Sequence, residues 1–544
     1  MKQFDRRALL RYSGVAAASL TLQFRAFAWA DGAPLATTTA GKISGVTEDG
    51  VHIFKSIPYG GDTAKTRFRA PVPPAKWTGV KECTTFTTMA PQLSVIRGGA
   101  QRTSSSGVPG AAPDSGVQSE DCLHLNVWTR GLRDGGKRPV LVYFHGGAYN
   151  NGTVNNDLYD GRRLCHRGDV VVVTVNHRLN AFGYLYLGDL DRSYAQSGNA
   201  GQLDLILALK WVKANIAEFG GDPSRVLIFG QSGGGAKCAA LMATPDAKGL
   251  FHRVMTMSGQ QIKGASIEIA AGRAKTVLEK MGVTSGKDLV AQLNGLTMEQ
   301  IQDGARAVSS DWLPVVDDVV LSRNPFDPNA PMLSQNVPMI LGNVHDETNV
   351  PSRGEMTWET APAALQAAVA QYLGPYTAEE VVTAFRKMHP DYTPEQVDTA
   401  AATAFRAWPG QRWEAERRAA NPVSQAHTWV YQMNFSGGNG KAMHTIDIPF
   451  MFDNVAFATG QIGSDPAHLV EANGLAATMS EMLITYGKTG DPNFGELPHW
   501  PTYDLKNRST MMWEAKPRVE NDPRGAERVF ADKSHYHQAG TPLP

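Results

Sequence analysis

At Gly230-Gln231-Ser232-Gly233-Gly234 a serine stands among glycines, directly behind the apolar run Val226-Leu227-Ile228-Phe229 and ahead of a small-residue stretch at 236–243. A strand that turns into a helix within so few residues leaves no room for side chains beside the turn. Glycine meets that condition on both flanks, and the hydroxyl between them stays exposed. A chain carrying such a nucleophile elbow is constrained to a sheet whose strands feed helices, with its chemistry at the carboxyl ends of the strands.

The rest of the chain agrees with that constraint. Apolar runs at 140–144, 170–175, 226–229 and 339–341 lack polar alternation, the pattern of strands buried on both faces. Between the second and third, Leu205, Leu209, Val212, Ile216 and Phe219 recur at steps of four and three and so share one helical face, which Gly220 and Gly221 terminate. The expected fold class is α/β, a mostly parallel central sheet with helices on both faces.

Charge excludes one class of partner. The 544 residues carry 52 Lys and Arg against 52 Asp and Glu, so no basic surplus exists to concentrate on phosphates, and no nucleic acid is expected as a partner. A phosphate-binding loop is excluded as well. After Gly235 comes Ala236, so Lys237 is out of register and Cys238 occupies the place of the magnesium-binding hydroxyl. Four cysteines (Cys83, Cys122, Cys165 and Cys238) are too few for a disulfide scaffold and show no zinc spacing.

The amino terminus has the form of an export signal. Lys2, Arg6, Arg7 and Arg11 precede the uncharged run at 12–22, which is too short to span a bilayer, and the segment around Arg6-Arg7 resembles a twin-arginine signal. Ala26-Phe27-Ala28 and Ala28-Trp29-Ala30 supply cleavage sites. Residues 1–30 are therefore expected to be removed and residues 31–544 to form the enzyme domain, periplasmic or extracellular. No later run is long and apolar enough to be a membrane span. The Ser-, Gly-, Pro- and Ala-rich stretch at 97–116 is expected to be a mobile surface loop. Oligomeric state is not legible.

A second glycine signal, Phe144-His145-Gly146-Gly147, ends one of the apolar runs. Two consecutive glycines let the backbone approach a substrate closely. The amides of Gly146, Gly147 and Gly233 are the expected oxyanion hole of an acyl-transfer site.

Further stretches carry a resemblance. Phe54-Lys55-Ser56-Ile57-Pro58-Tyr59, Ser119-Glu120-Asp121-Cys122-Leu123-His124-Leu125-Asn126-Val127, Asn176-His177-Arg178-Leu179, Gly198-Asn199-Ala200-Gly201, Phe219-Gly220-Gly221-Asp222-Pro223, Thr489-Gly490-Asp491-Pro492-Asn493 and Trp500-Pro501-Thr502-Tyr503 occur in that order. With the elbow, they make the chain similar to the type B carboxylesterases, the group that includes the cholinesterases. The resemblance implies the α/β-hydrolase fold with a helical cap region, a small-molecule ester substrate, and no metal or organic cofactor.

A serine needs a base, and the base needs an acid that fixes its tautomer. In this fold the chain order is serine, acid, histidine. Gly342-Asn343-Val344-His345-Asp346-Glu347 resembles the family's acid loop and points to Glu347, with Asp346 the alternative. Ala442-Met443-His444-Thr445-Ile446-Asp447-Ile448-Pro449-Phe450 resembles its histidine loop and points to His444. Thr348 stands where the family usually has glycine, and Thr445 where it often does. Ser258 resembles a serine that supports the triad in relatives, and His145 and His345 are expected to support their loops. The resemblance further implies a disulfide between Cys83 and Cys122. That segment lacks the tryptophan by which cholinesterases bind choline, which disfavours a quaternary-ammonium substrate. Ester hydrolysis through an acyl-enzyme is the expected activity. The alternatives are the same triad acting on an amide, carbamate or lactone, and a binding protein built on a dead hydrolase fold.

Overall fold

Unbroken apolar runs become interior strands because every side chain in them finds an apolar neighbour above or below the sheet. The computed structural model describes residues 32–92, 96–97, 100–101, 112–284, 286, 288–308, 312–348, 355–534, 536–538 and 540–541. The expected signal and its cleavage sites lie outside the described residues, as does most of the stretch at 97–116.

Among the described residues one sheet has eleven strands. In chain order they are β1 (Val46–Glu48), β2 (Val51–Pro58), β3 (His124–Thr129), β4 (Arg138–Phe144), β5 (Val171–Val175), β6 (Gly221–Gln231), β7 (Arg253–Met257), β8 (Met339–Val344), β9 (Thr428–Met433), β10 (Ser509–Trp513) and β11 (Arg518–Asn521). Across the sheet they run β11-β10-β9-β8-β7-β6-β4-β5-β3-β2-β1. Six successive parallel pairings, β5 with β4 through β9 with β10, make the centre parallel. Both margins are antiparallel. The sheet is the mostly parallel one expected from the α/β-hydrolase fold, and each of the four apolar runs forms one of its strands, Val170 alone lying just ahead of β5.

Alternate residues feed two cores. Val140, Val142 and Phe144 of β4 pack into one with Leu205, Leu209 and Val212 of helix α1 (Ala200–Asn215). Leu141 and Tyr143 pack into the other with Met479 and Leu483 of the helix Pro466–Thr489. Helix α1 passes into a single 3-10 turn, Ile216–Phe219, before Gly220 adopts φ 70° and ends it. Helices Ile267–Met281, Leu289–Gly295 and Met298–Ala305 carry a third apolar cluster, and those within residues 361–402 a fourth; these are the helical region outside the sheet layers. No helix among the described residues is long and apolar enough to cross a membrane.

One buried ion pair ties this frame together. Arg178, after β5, and Asp204, in α1, are 1% and 0% exposed and meet at 2.6 Å, while Asp204 also accepts the Arg178 amide at 3.0 Å. Removing one partner strands the other's charge in the interior, which costs about 3–5 kcal/mol. Asp204→Ala is expected to lose that much stability in urea unfolding, whereas a loss under about 1 kcal/mol would show the pair to be dispensable.

The structure corrects one expectation. Cys83 and Cys122 are free, buried thiols and form no disulfide. The reason is register along β2. Cys83 accepts the Lys55 amide, whereas Leu123, beside Cys122, accepts those of Tyr59 and Gly60. Four to five residues of extended chain separate these levels, roughly 13 Å or more, against the ~7 Å limit for bridged Cα atoms. Burial pushes the Cys83 thiol up to about 12 and that of Cys122 well above its ordinary value, so both stay protonated.

Candidate active site

Ser232 joins β6 to helix α2 (Gly233–Met242) with φ 55° and ψ −124°, a backbone conformation rarely adopted by residues with side chains. The turn is held because the Ser232 amide donates to the Met257 carbonyl of β7 at 2.7 Å. Its glycines are obligatory. A Cβ on Gly230 would lie 2.4 Å from the Gly234 carbonyl carbon, and one on Gly234 would lie 2.0 Å from the Phe144 oxygen.

Glu347 lies three residues past the end of β8, and His444 in the loop between β9 and the helix Asp447–Met451. Parallel pairing of β8 with β9 sets these loops side by side. Asp346 then fastens them, since its carboxylate accepts the Ala442 amide at 2.8 Å and its own amide donates to the Ala442 carbonyl. Asp346 also pairs with His345 at 2.9 Å. The alternative acid is therefore occupied in holding the loop, and His345 with it. Thr445 takes φ 80°, a left-handed conformation that favours glycine.

His444 Nδ1 and Glu347 Oε2 are 2.6 Å apart. The other carboxylate oxygen accepts the Val344 amide at 3.0 Å and the Gln411 side-chain amide at 3.2 Å. Burial pushes the Glu347 carboxyl up, but His444, the neighbouring Ser258 hydroxyl and the Val344 amide outweigh it and hold the group below the ordinary range. For His444, burial works downward and the Glu347 charge upward, and the charge prevails, so its pKa is raised. With Nδ1 donating to the carboxylate, Nε2 presents its lone pair to the elbow, where the Gln231 side-chain amide lies 3.3 Å away.

The loop after β4 closes the site. A Cβ on Gly146 would stand 3.4 Å from Ser232 Cβ, and one on Gly233 only 2.5 Å from the Ala148 nitrogen. Within the loop, the His145 ring lies 2.8 Å from the Gly146 carbonyl, and the Gly147 carbonyl accepts the amides of Asn150 and Asn151. Because a trans peptide sets N–H and C=O antiparallel, the amides of Gly147 and Ala148 face away from these contacts. Gly233, the first residue of α2, has no intrahelical acceptor for its own amide. The expected donors Gly146, Gly147 and Gly233 thus share one locality with Ser232, and Ala148 joins them.

Four groups were not legible beforehand. Ala148 sits next to the quoted glycines, Gln231 inside the quoted elbow and Asp447 inside the quoted histidine loop, so each could have been found by asking what the motif's variable positions touch. Asp447 is fully buried, accepts the Tyr431 hydroxyl at 2.8 Å and is pushed by burial up to about 7. Gln411 gave no signal, because a lone amide on the helix Trp408–Ala419 says nothing about a carboxylate 64 positions away.

Comparison with known proteins shows the family and the fold. The sequence profile of the carboxylesterase family matches residues 32–531. The para-nitrobenzyl esterase of Bacillus subtilis (strain 168) is 32% identical, with 91% of this chain and 97% of that protein aligned. The human cocaine esterase is 30% identical over 92% of each chain. Among solved structures, a Geobacillus stearothermophilus carboxylesterase superposes with TM-score 0.77 at 32% identity, covering 91% of this chain and 99% of that one.

Proposed function

The chain belongs to the type B carboxylesterase family and is a carboxylic-ester hydrolase; on that premise we propose that Ser232, His444 and Glu347 are its triad and that the reaction runs through an acyl-enzyme. The observation that carries this reading is the 2.6 Å contact between His444 and a buried Glu347, with the opposite ring nitrogen turned to the residues of the elbow.

The Ser232 oxygen attacks the ester carbonyl while His444 Nε2 takes its proton. The amides of Gly147, Ala148 and Gly233, with Gly146 packed on the serine, receive the negative charge that develops on the carbonyl oxygen. His444 then returns the proton to the departing alcohol, and water repeats the sequence to release the acid. Glu347 fixes the tautomer and steadies the imidazolium without itself becoming protonated.

Two outcomes are expected of a fluorophosphonate probe. It should add to one residue, Ser232, as mapped by peptide mass. The addition rate should fall on acidification, because the base must be neutral, and the midpoint should lie above 6.5, since Glu347 raises the His444 pKa. No adduct at Ser232, or a midpoint below 6.5, would count against the assignment.

Residues 1–30 are proposed as a twin-arginine export signal, on their sequence alone. The mature protein recovered outside the cytoplasm should begin near Trp29 or Asp31, as read by terminal sequencing. A cytoplasmic product beginning at residue 1 or 2 would refute it.

A further inference from the structure

Lys237 is an unusual residue for its position. It lies in α2 one turn after Gly233, is fully buried, and forms no ion pair among the described residues. Its ammonium donates instead to two backbone carbonyls of the loop after β4, that of Ala148 at 2.7 Å and that of His145 at 3.1 Å, and stands 5.3 Å from the centre of the Tyr149 ring.

A buried cation costs several kcal/mol of desolvation, which two neutral carbonyls only partly restore. An apolar side chain of the same length would fill the space without that cost. The groups facing it supply no counter-charge either. His145 and His177 stack at 4.7 Å, with His145 pushed by burial down to about 3 and His177 well below its ordinary value. Burial also raises the thiol of Cys238. The stability of the fold therefore does not explain the lysine.

The loop it holds does. Gly147 and Ala148 have φ 86° and 52°, and for alanine the left-handed conformation costs on the order of 1 kcal/mol or more. Such strain persists only where the surroundings over-determine it. Gly233, having no side chain, lets the Ala148 backbone settle on α2, and Lys237, four residues later on the same helical face, clasps the carbonyl of that residue.

We propose that Lys237 is a positioning residue of the oxyanion pocket, its buried amino group anchoring the loop at the carbonyls of His145 and Ala148 so that the amides of Gly147 and Ala148 between them meet the developing oxyanion. The inference rests on Ser232 being the nucleophile.

The test compares Lys237→Met, matched in length and uncharged, with Lys237→Gln, which keeps a donor without the charge. An aryl trifluoromethyl ketone reports the pocket directly. The serine oxygen bonds to its carbonyl carbon, the carbonyl electron pair moves onto oxygen, and the serine proton passes to His444. The corresponding secondary alcohol, which cannot form that anion, reports ground-state binding. Ketone affinity and kcat/KM should fall together, about ten- to hundredfold in Lys237→Met and less in Lys237→Gln. Alcohol affinity should stay within about twofold, and the Tm of the methionine variant should equal or exceed that of the parent.

Unchanged ketone affinity in Lys237→Met, or equal losses for ketone and alcohol, would overturn the proposal. If the methionine variant does not fold, the glutamine variant carries the same comparison. Fluorophosphonate labelling of the parent separates the two readings: without an adduct at Ser232 the triad assignment fails, whereas an adduct with unaltered ketone affinity refutes only the role of Lys237.

Discussion

Ser232→Ala is expected to fold as the parent does and to lose ester turnover by about a millionfold, and His444→Ala to lose nearly as much, with the double variant scarcely worse than either. The non-additivity is the informative part. If the serine acts only through the imidazole, removing the second group takes nothing further away. Residual rate above that in water would come from the loop amides, which remain in both variants. The Ser232 hydroxyl fixes neither the elbow nor the sheet, because the turn is held by the backbone bond to Met257 and by the glycines at 230 and 234. Its loss should therefore leave Tm within a degree or two, and a variant that kept even one part in a hundred of the activity would remove Ser232 from the reaction.

Glu347→Gln should lower kcat by on the order of ten-thousandfold while the protein stays folded. The amide is nearly the same shape and can keep the contact with Val344, but it removes the charge that selects the proton on Nδ1 and supports the imidazolium. The sign of the accompanying pH effect follows from the same charge. Glu347 raises the His444 pKa, so without it the remaining activity should hold to lower pH than in the parent. A drop in rate with no displacement of the acid limb would mean that Glu347 acts by packing alone. Asp346→Asn is the contrasting case. Its carboxylate bonds to the Ala442 amide and His345 rather than to His444, so any loss should come through looser loops and with a lower Tm.

What could be seen in the sequence and what could not divides along a physical line. Strands buried on both faces and the strand-turn-helix at Ser232 announce themselves locally, since a β-run needs apolar residues without gaps and a tight turn needs glycine. Glu347 and His444 were legible only through resemblance, because nothing within six residues of either says that two loops 97 positions apart will touch. Their meeting depends on β8 lying beside β9, a fact of strand order. The same non-locality misled in the case of Cys83 and Cys122, whose separation is decided by register along β2. Thr445 shows a local rule overridden: a β-branched residue takes a glycine conformation at φ 80° because the loop must turn the imidazole toward Glu347. Lys237 was visible only as a failed phosphate-loop lysine. Its partners are carbonyl oxygens of another loop, which leave no trace in side-chain pattern.

The central claim is covalent. Rapid acid quench during turnover of a p-nitrophenyl ester, followed by peptide mass mapping, should find the acyl group on the peptide containing Ser232, with a first burst of about one nitrophenolate per chain whenever deacylation is the slower step. In Glu347→Gln the same adduct should form far more slowly. An acyl group on another residue, or full turnover by Ser232→Ala with no adduct at any stage, would contradict the mechanism.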